Sequence, residues 1–124
     1  MSSSRALSVV AGLSLVYDLT IGVLLLVATS SVASWFDLVL PSPILFVKLD
    51  ALFLICVGIG YLQPLRNPQA HRAYLWVFGP VLKGAGAIAF ITDHYMNGSP
   101  ASFLVFAASD GSLALVTLGA LLRR

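Results

Sequence analysis

Four long apolar stretches fill this chain, and each holds at least one ionisable residue. Asp18 lies in the first, Lys48 and Asp50 in the second, Lys83 in the third and Asp110 in the fourth. A charge near the centre of a bilayer costs about 2.5–3.5 kcal/mol on insertion scales. Such residues persist where they pair with one another or line a polar cavity. The sequence therefore predicts an all-α fold: an integral membrane four-helix antiparallel bundle with a polar cluster inside it.

The composition agrees. A chain of 124 residues has room for one domain, here taken as 1–124. It is 59% hydrophobic and only 10% charged, where soluble domains carry about 25% charged residues. The net charge of +2 comes from a few Lys and Arg. No basic stripe with interleaved aromatics exists, so the expected partner is the lipid bilayer and not nucleic acid. Cys56 is the single cysteine and is read as a small apolar residue, since one thiol forms no internal disulfide. Met1 to Arg5 resembles a signal n-region, and Ser31-Val32-Ala33 resembles a cleavage site. The apolar run between them exceeds the about 7–15 residues of a signal h-region and contains Asp18, so it is read as the first span.

The spans are placed at 6–28, 44–63, 73–95 and 102–122. Each has about 20 residues or more, enough to cross a hydrocarbon core of about 30 Å at about 1.5 Å per residue. Helices are required because an open strand leaves its backbone unsatisfied in lipid. Arg5, Arg66, Arg72, Arg123 and Arg124 all fall at the termini or in the middle loop, while loops 29–43 and 96–101 lack Lys and Arg. By the positive-inside rule both termini are cytoplasmic. Tyr61, Tyr74 and Trp76 are then expected at the inner interface, and Trp35 and Tyr95 at the outer one.

In the first loop, Val32, Trp35, Phe36, Val39 and Leu40 have the spacing of an amphipathic helix. Ser30, Ser31 or Ser34 is its expected cap, and Pro41-Ser42-Pro43 its stop. The expectation is a short interfacial helix on the outer surface, serving as an anchor or as a lid. Gly84 to Ala89 matches a G-x-G-x-x-A pattern, but it lies inside an apolar span with no preceding strand. Its small residues are read as permitting close helix contact.

Counting from the outer span ends at about 1.5 Å per residue puts Lys48 about 6 Å deep and Asp50 about 9 Å deep. Asp110 falls at about 12 Å, Asp18 at about 15 Å and Lys83 at about 18 Å on the same count. These residues form the candidate intramembrane polar cluster. Ser14, Asp18 and Gly22 share a face, as do Gly79, Lys83 and Ala87; Asp110 shares one with Phe106, Ala114 and Thr117. Asp50 aligns with Leu54, Val57, Gly58 and Tyr61, and Cys56 lies off that face. Pro80 has no amide hydrogen, so the Trp76 carbonyl loses its helical partner and a kink is expected beside Lys83.

Three Asp against two Lys leaves one carboxylate unbalanced. Two uses of the cluster stay open: an ion-pair network that fixes helix register, or a site that relays a proton or holds a cationic ligand. His71 and His94 have no second His or Cys at metal-ligand spacing, so no metal is expected. No nucleophile elbow, phosphate loop or HExxH motif occurs; catalytic residues stay unknown, and no cofactor is implied.

Tyr17-Asp18 with Gly22, Gly58 and Gly60 with Tyr61, Arg66-Asn67-Pro68, Lys83 and Asp110-Gly111 form a pattern. It resembles the small bacterial four-helix membrane proteins grouped as DoxX-like, over nearly the whole chain. The family's name-giving member is a small subunit of a thiosulfate–quinone oxidoreductase. The resemblance implies an accessory or quinone-proximal protein of the bacterial inner membrane and carries over no catalytic residue. The leading expectation is a non-enzymatic bundle that docks against a membrane partner or a second copy, or holds a lipophilic small molecule. One alternative is a membrane-embedded enzyme acting on an isoprenoid- or quinone-like substrate, with Asp18 or Asp110 as acid/base and Lys83 as electrostatic stabiliser. The other is a small proton-coupled transporter.

Overall fold

Long apolar runs become helices, and four of them dominate the computed structural model, which describes residues 3–123. They are α1 (Ser3–Val27), α3 (Leu45–Arg66), α4 (Arg72–Asn97) and α5 (Phe103–Leu122), each long and apolar enough to cross a membrane. The short helix α2 (Thr29–Phe36) follows α1. Among the described residues there is no strand. The observed ends differ from the expected spans by up to three residues, as frayed ends and caps allow.

Helix α1 buries Leu7, Val10, Ala11, Ser14, Asp18 and Gly22, a stripe at intervals of three and four residues. It lies between α3 and α5, and α4 packs against α5. Close approach is set by glycines. A Cβ on Gly22 would stand 2.8 Å from Ile55 Cγ1 and 3.0 Å from the Ala51 carbonyl, so α1 and α3 meet nearly backbone to backbone. Gly79 does the same for α4 and α5, where a Cβ would meet Thr117 Cγ2 at 2.8 Å. The small residues at Gly84 and Gly86 leave ordinary van der Waals distances instead. The tightest contacts thus fall elsewhere than the small-residue run suggests.

One end of the molecule holds the apolar core: Leu7, Val10, Val57, Tyr61, Leu75 and Leu121 pack together, with Tyr74 and Phe78 against them. Arg72 closes this end by donating from Nη2 to the Leu121 carbonyl at 2.5 Å. A cation on the last carbonyls of α5 offsets the negative end of the helix dipole.

Three local expectations are corrected. Helix α2 begins at Thr29 and stops at Phe36, because Asp37 takes a left-handed conformation (φ 54°). Val39 and Leu40 therefore lie outside it, and no serine side chain caps it. The Thr29 hydroxyl bonds back to the Leu25 carbonyl at 2.5 Å, so the turn between α1 and α2 supplies its own partners. Lys48 and Ser102 then tie α2 down at both ends: Ser102 Oγ donates to the Phe36 carbonyl at 2.6 Å.

The disturbance at Pro80 is a π-helical segment, Val77–Val81, within α4. Widening the turn there lets the Leu82 amide reach back to the Val77 carbonyl, past the missing proline donor. Finally, Tyr61 is not an interface residue. It is completely buried, its hydroxyl donating to the Phe78 carbonyl at 2.9 Å. Tyr74 is half-buried beside it, with ring centroids 5.0 Å apart and edge to face. Trp35, Trp76 and Tyr95 do reach the surface.

Candidate functional site

The periodicity that puts Ser14, Asp18 and Gly22 on one stripe of α1 aims the Asp18 carboxylate into the middle of the molecule. Lys83, just beyond the π-helical segment of α4, arrives from the opposite side. Its Nζ donates to Asp18 Oδ1 at 3.0 Å and Oδ2 at 2.9 Å. The two side chains are 1% and 4% exposed, so the pair is sealed from its surroundings. The Tyr17 and Tyr61 rings lie 5.9 and 5.4 Å from the ammonium, close enough for cation–π attraction. Lys83 is therefore held by a two-oxygen contact on one side and by aromatic faces on others.

Hydroxyls extend the cluster. Tyr17 Oη and Ser109 Oγ are 2.8 Å apart, and Ser109 also donates to the Val105 carbonyl at 2.8 Å. Either hydroxyl can donate in the Tyr17–Ser109 contact, since each has one proton and a second acceptor nearby. The hydroxyls of Ser14 and Thr117 are buried and, among the described residues, have no hydrogen-bond partner. Ser14 lies one turn from Asp18, and Thr117 presses on Gly79 beside the π-helical segment.

Asp110 joins the same interior. It is half-buried, interacts with the Tyr17 side chain, and feels the charges of both Lys83 and Asp18. Its Oδ2 would stand 3.5 Å from a Cβ on Gly86. Asp110 thus adds a second carboxylate next to an ion pair that already satisfies its one cation.

Lys48 and Asp50 stand apart from this cluster. Lys48 Nζ donates to the Leu26 carbonyl at 2.6 Å and to Thr29 Oγ1 at 2.9 Å, a local clamp across the α1–α2 turn. Asp50 is exposed on α3 and, among the described residues, makes no hydrogen bond or ion pair. Its face-mates Val57, Gly58 and Tyr61 are buried as expected. Its neighbour Ala51, about 100° round the helix, packs against α1 at Gly22. Depth counting places a residue along a helix axis but says little about which neighbours stand opposite it.

Ser109 and Tyr74 belong to the site's surroundings and escape the sequence reading. Tyr74 donates through its hydroxyl to the Val57 carbonyl. A tyrosine near a span end reads as an interface anchor unless its hydroxyl has a buried acceptor, and only the tertiary fold supplies that. Among the described residues no group of three or more His, Cys, Asp or Glu side chains comes together. His71 and His94 each engage a nearby backbone carbonyl through Nδ1, and Asp93 takes hydrogen bonds from Asn97 and Ser99 at the end of α4. Cys56 is exposed, off the packed face of α3.

Chemically, the centre is a closed charge pair with an extra carboxylate and several hydroxyls around it. It holds charge without presenting it. Compared with known protein families, curated proteins and solved structures, the chain matches none.

Proposed function

We propose that the protein is a non-enzymatic accessory subunit of the bacterial inner membrane, crossing it as an antiparallel four-helix bundle with both termini cytoplasmic. On this reading it docks through α3 against a membrane-spanning helix of another protein, one that carries a Lys or Arg. The observation behind it is Asp50, an exposed carboxylate inside an apolar helix, flanked by exposed Phe46, Leu49 and Phe53. A bare carboxylate facing lipid is costly, and a basic residue on a neighbouring helix removes that cost.

Charge complementarity favours a different protein over a second copy. Lys83 is spent on Asp18 and Lys48 on the α1–α2 turn. Arg5, Arg66, Arg72 and Arg123 flank the ends of the spans remote from Asp50. A second copy with the same orientation therefore brings no unspent Lys or Arg to that depth. The DoxX-like resemblance of the sequence points to the same accessory role.

The test is photo-crosslinking in cells from a probe at Leu49 or Phe53, with the adduct identified and its spans inspected. The expected product is a heterologous adduct whose crosslinked span carries a basic residue. Asp50→Lys should abolish it, and Lys→Asp or Arg→Asp in the partner should restore it. Adducts only with the protein itself, or unchanged capture by Asp50→Leu, would overturn the proposal.

Asp110 favours a second reading, a proton-coupled transporter. It is a carboxylate beside a satisfied ion pair and the Tyr17–Ser109 hydroxyls, and such groups can exchange protons in membranes. Proton uptake by reconstituted vesicles that is lost in Asp110→Asn would support it; flux equal to that of empty vesicles would end it.

A further inference from the structure

Two apolar grooves run along the outside of the molecule on either side of Val9, and each ends at an arginine. The first, of about 480 Å³, is lined by Ser8, Val9, Gly12, Leu13, Val16 and Leu65 and reaches Arg5. The second, of about 380 Å³, is lined by Val9, Val10, Val116, Gly119 and Ala120 and reaches Arg123. Both are shallow and open along their length. We infer that each groove holds one acyl chain of an anionic phospholipid, with the phosphate on Arg5 or Arg123.

The amino-acid sequence shapes both grooves in the same way. Each contains a glycine where a side chain would fill the space: Gly12 in the first and Gly119 in the second. A Cβ on Gly12 would make only an ordinary contact, 3.5 Å from Leu65 Cδ1, and one on Gly119 would meet nothing within 4 Å. Neither glycine is required for close helix contact, unlike Gly22 and Gly79. The Ser8 hydroxyl is turned away from lipid onto the Leu65 carbonyl at 2.8 Å, which leaves the first groove walls apolar.

Length and charge identify the occupant. From Arg5 to Val16 the first groove follows α1 for about 16 Å, close to half of a hydrocarbon core of about 30 Å. That is one leaflet, the reach of an acyl chain, whereas a partner helix would need a surface along the whole span. The guanidinium offers a planar fork of N–H donors that matches a phosphate. Arg5 has other interactions within the protein, and five donors leave it able to bind a phosphate as well. The Ser3 hydroxyl reaches the Arg123 carbonyl at 3.5 Å, which brings the two arginine-bearing chain ends together on one face.

Native mass spectrometry of the full chain, released from nanodiscs of phosphatidylglycerol or phosphatidylethanolamine, tests this. Two phosphatidylglycerol molecules should survive activation, and fewer phosphatidylethanolamine molecules. Gly12→Leu should remove one adduct and Gly12→Leu with Gly119→Leu both, with helical content by circular dichroism unchanged. Arg5→Gln, with helical content checked in the same way, should weaken retention at the first groove about fivefold. Equal retention of the two lipids, or unchanged retention by Arg5→Gln and a folded Gly12→Leu, would refute the assignment. Displacement of lipid by a bound protein subunit at the same residues would also refute it, in favour of a helix-binding surface.

Discussion

Lys83 Nζ sits 2.9 Å from Asp18 Oδ2 and 3.0 Å from Oδ1, joining α4 to α1 across 65 residues of sequence. Both side chains are buried, so the contact is a joint between two helices far apart in sequence. Buried pairs have an asymmetric energetics: the intact pair is near neutral against an apolar replacement, while a broken pair strands a charge. Lys83→Met and Asp18→Leu should each therefore lose about 3–5 kcal/mol. The double variant should regain most of that loss. Reversible unfolding in detergent measures all three. A double variant as unstable as the sum of the singles would show that the pair contributes nothing as a unit.

The contact between Gly79 and Thr117 gives a steric prediction. Gly79→Ala places a methyl 2.8 Å from Thr117 Cγ2, and overpacking of this kind typically costs about 1–3 kcal/mol. Thr117→Ser removes Cγ2 and should rescue it, although the same change in the parent chain opens a small void. Melting temperatures of the two singles and the double check the sign of the coupling. Additive losses would mean the interface shifts freely around the new methyl.

Tyr61→Phe keeps the ring against the ammonium of Lys83 and removes the donor that satisfies the Phe78 carbonyl. A buried acceptor left without a partner costs about 1–3 kcal/mol. The π-helical segment should loosen first, because Pro80 already removes one backbone donor there. Hydrogen exchange at the amides of Val81 and Leu82 is the readout, and it should quicken relative to α1. Unchanged protection there would mean that the segment needs no support from Tyr61.

Topology follows from the arginines. On the proposed orientation, reporter fusions at Pro41, Asn67, Gly98 and the C-terminus should read outside, inside, outside and inside, by the positive-inside rule. A C-terminal fusion reporting from the outside would reverse the assignment.

Much of the architecture is legible in the sequence because one physical requirement governs it. Apolar runs of this length have to form helices, and the intervals of Leu7, Ala11, Ser14, Asp18 and Gly22 already mark the packed stripe of α1. The pairing of Lys83 with a carboxylate is legible for the same reason, since a buried ammonium without one is too costly. Which carboxylate it meets, and which residues stay outside, belongs to the tertiary structure. Counted from the expected span ends, Asp18, Asp50 and Asp110 fall within about 6 Å of one another in depth. Only the rotation of each helix about its axis, set by contacts such as Gly22 on Ala51 and Gly79 on Thr117, turns Asp18 onto Lys83 and leaves Asp50 exposed. Likewise Tyr61 and Tyr74 look like interfacial anchors until the fold provides buried carbonyls for their hydroxyls. Depth is a local property of a chain read along one axis. Azimuth is decided by which helix backbones can approach, a joint property of residues far apart in sequence.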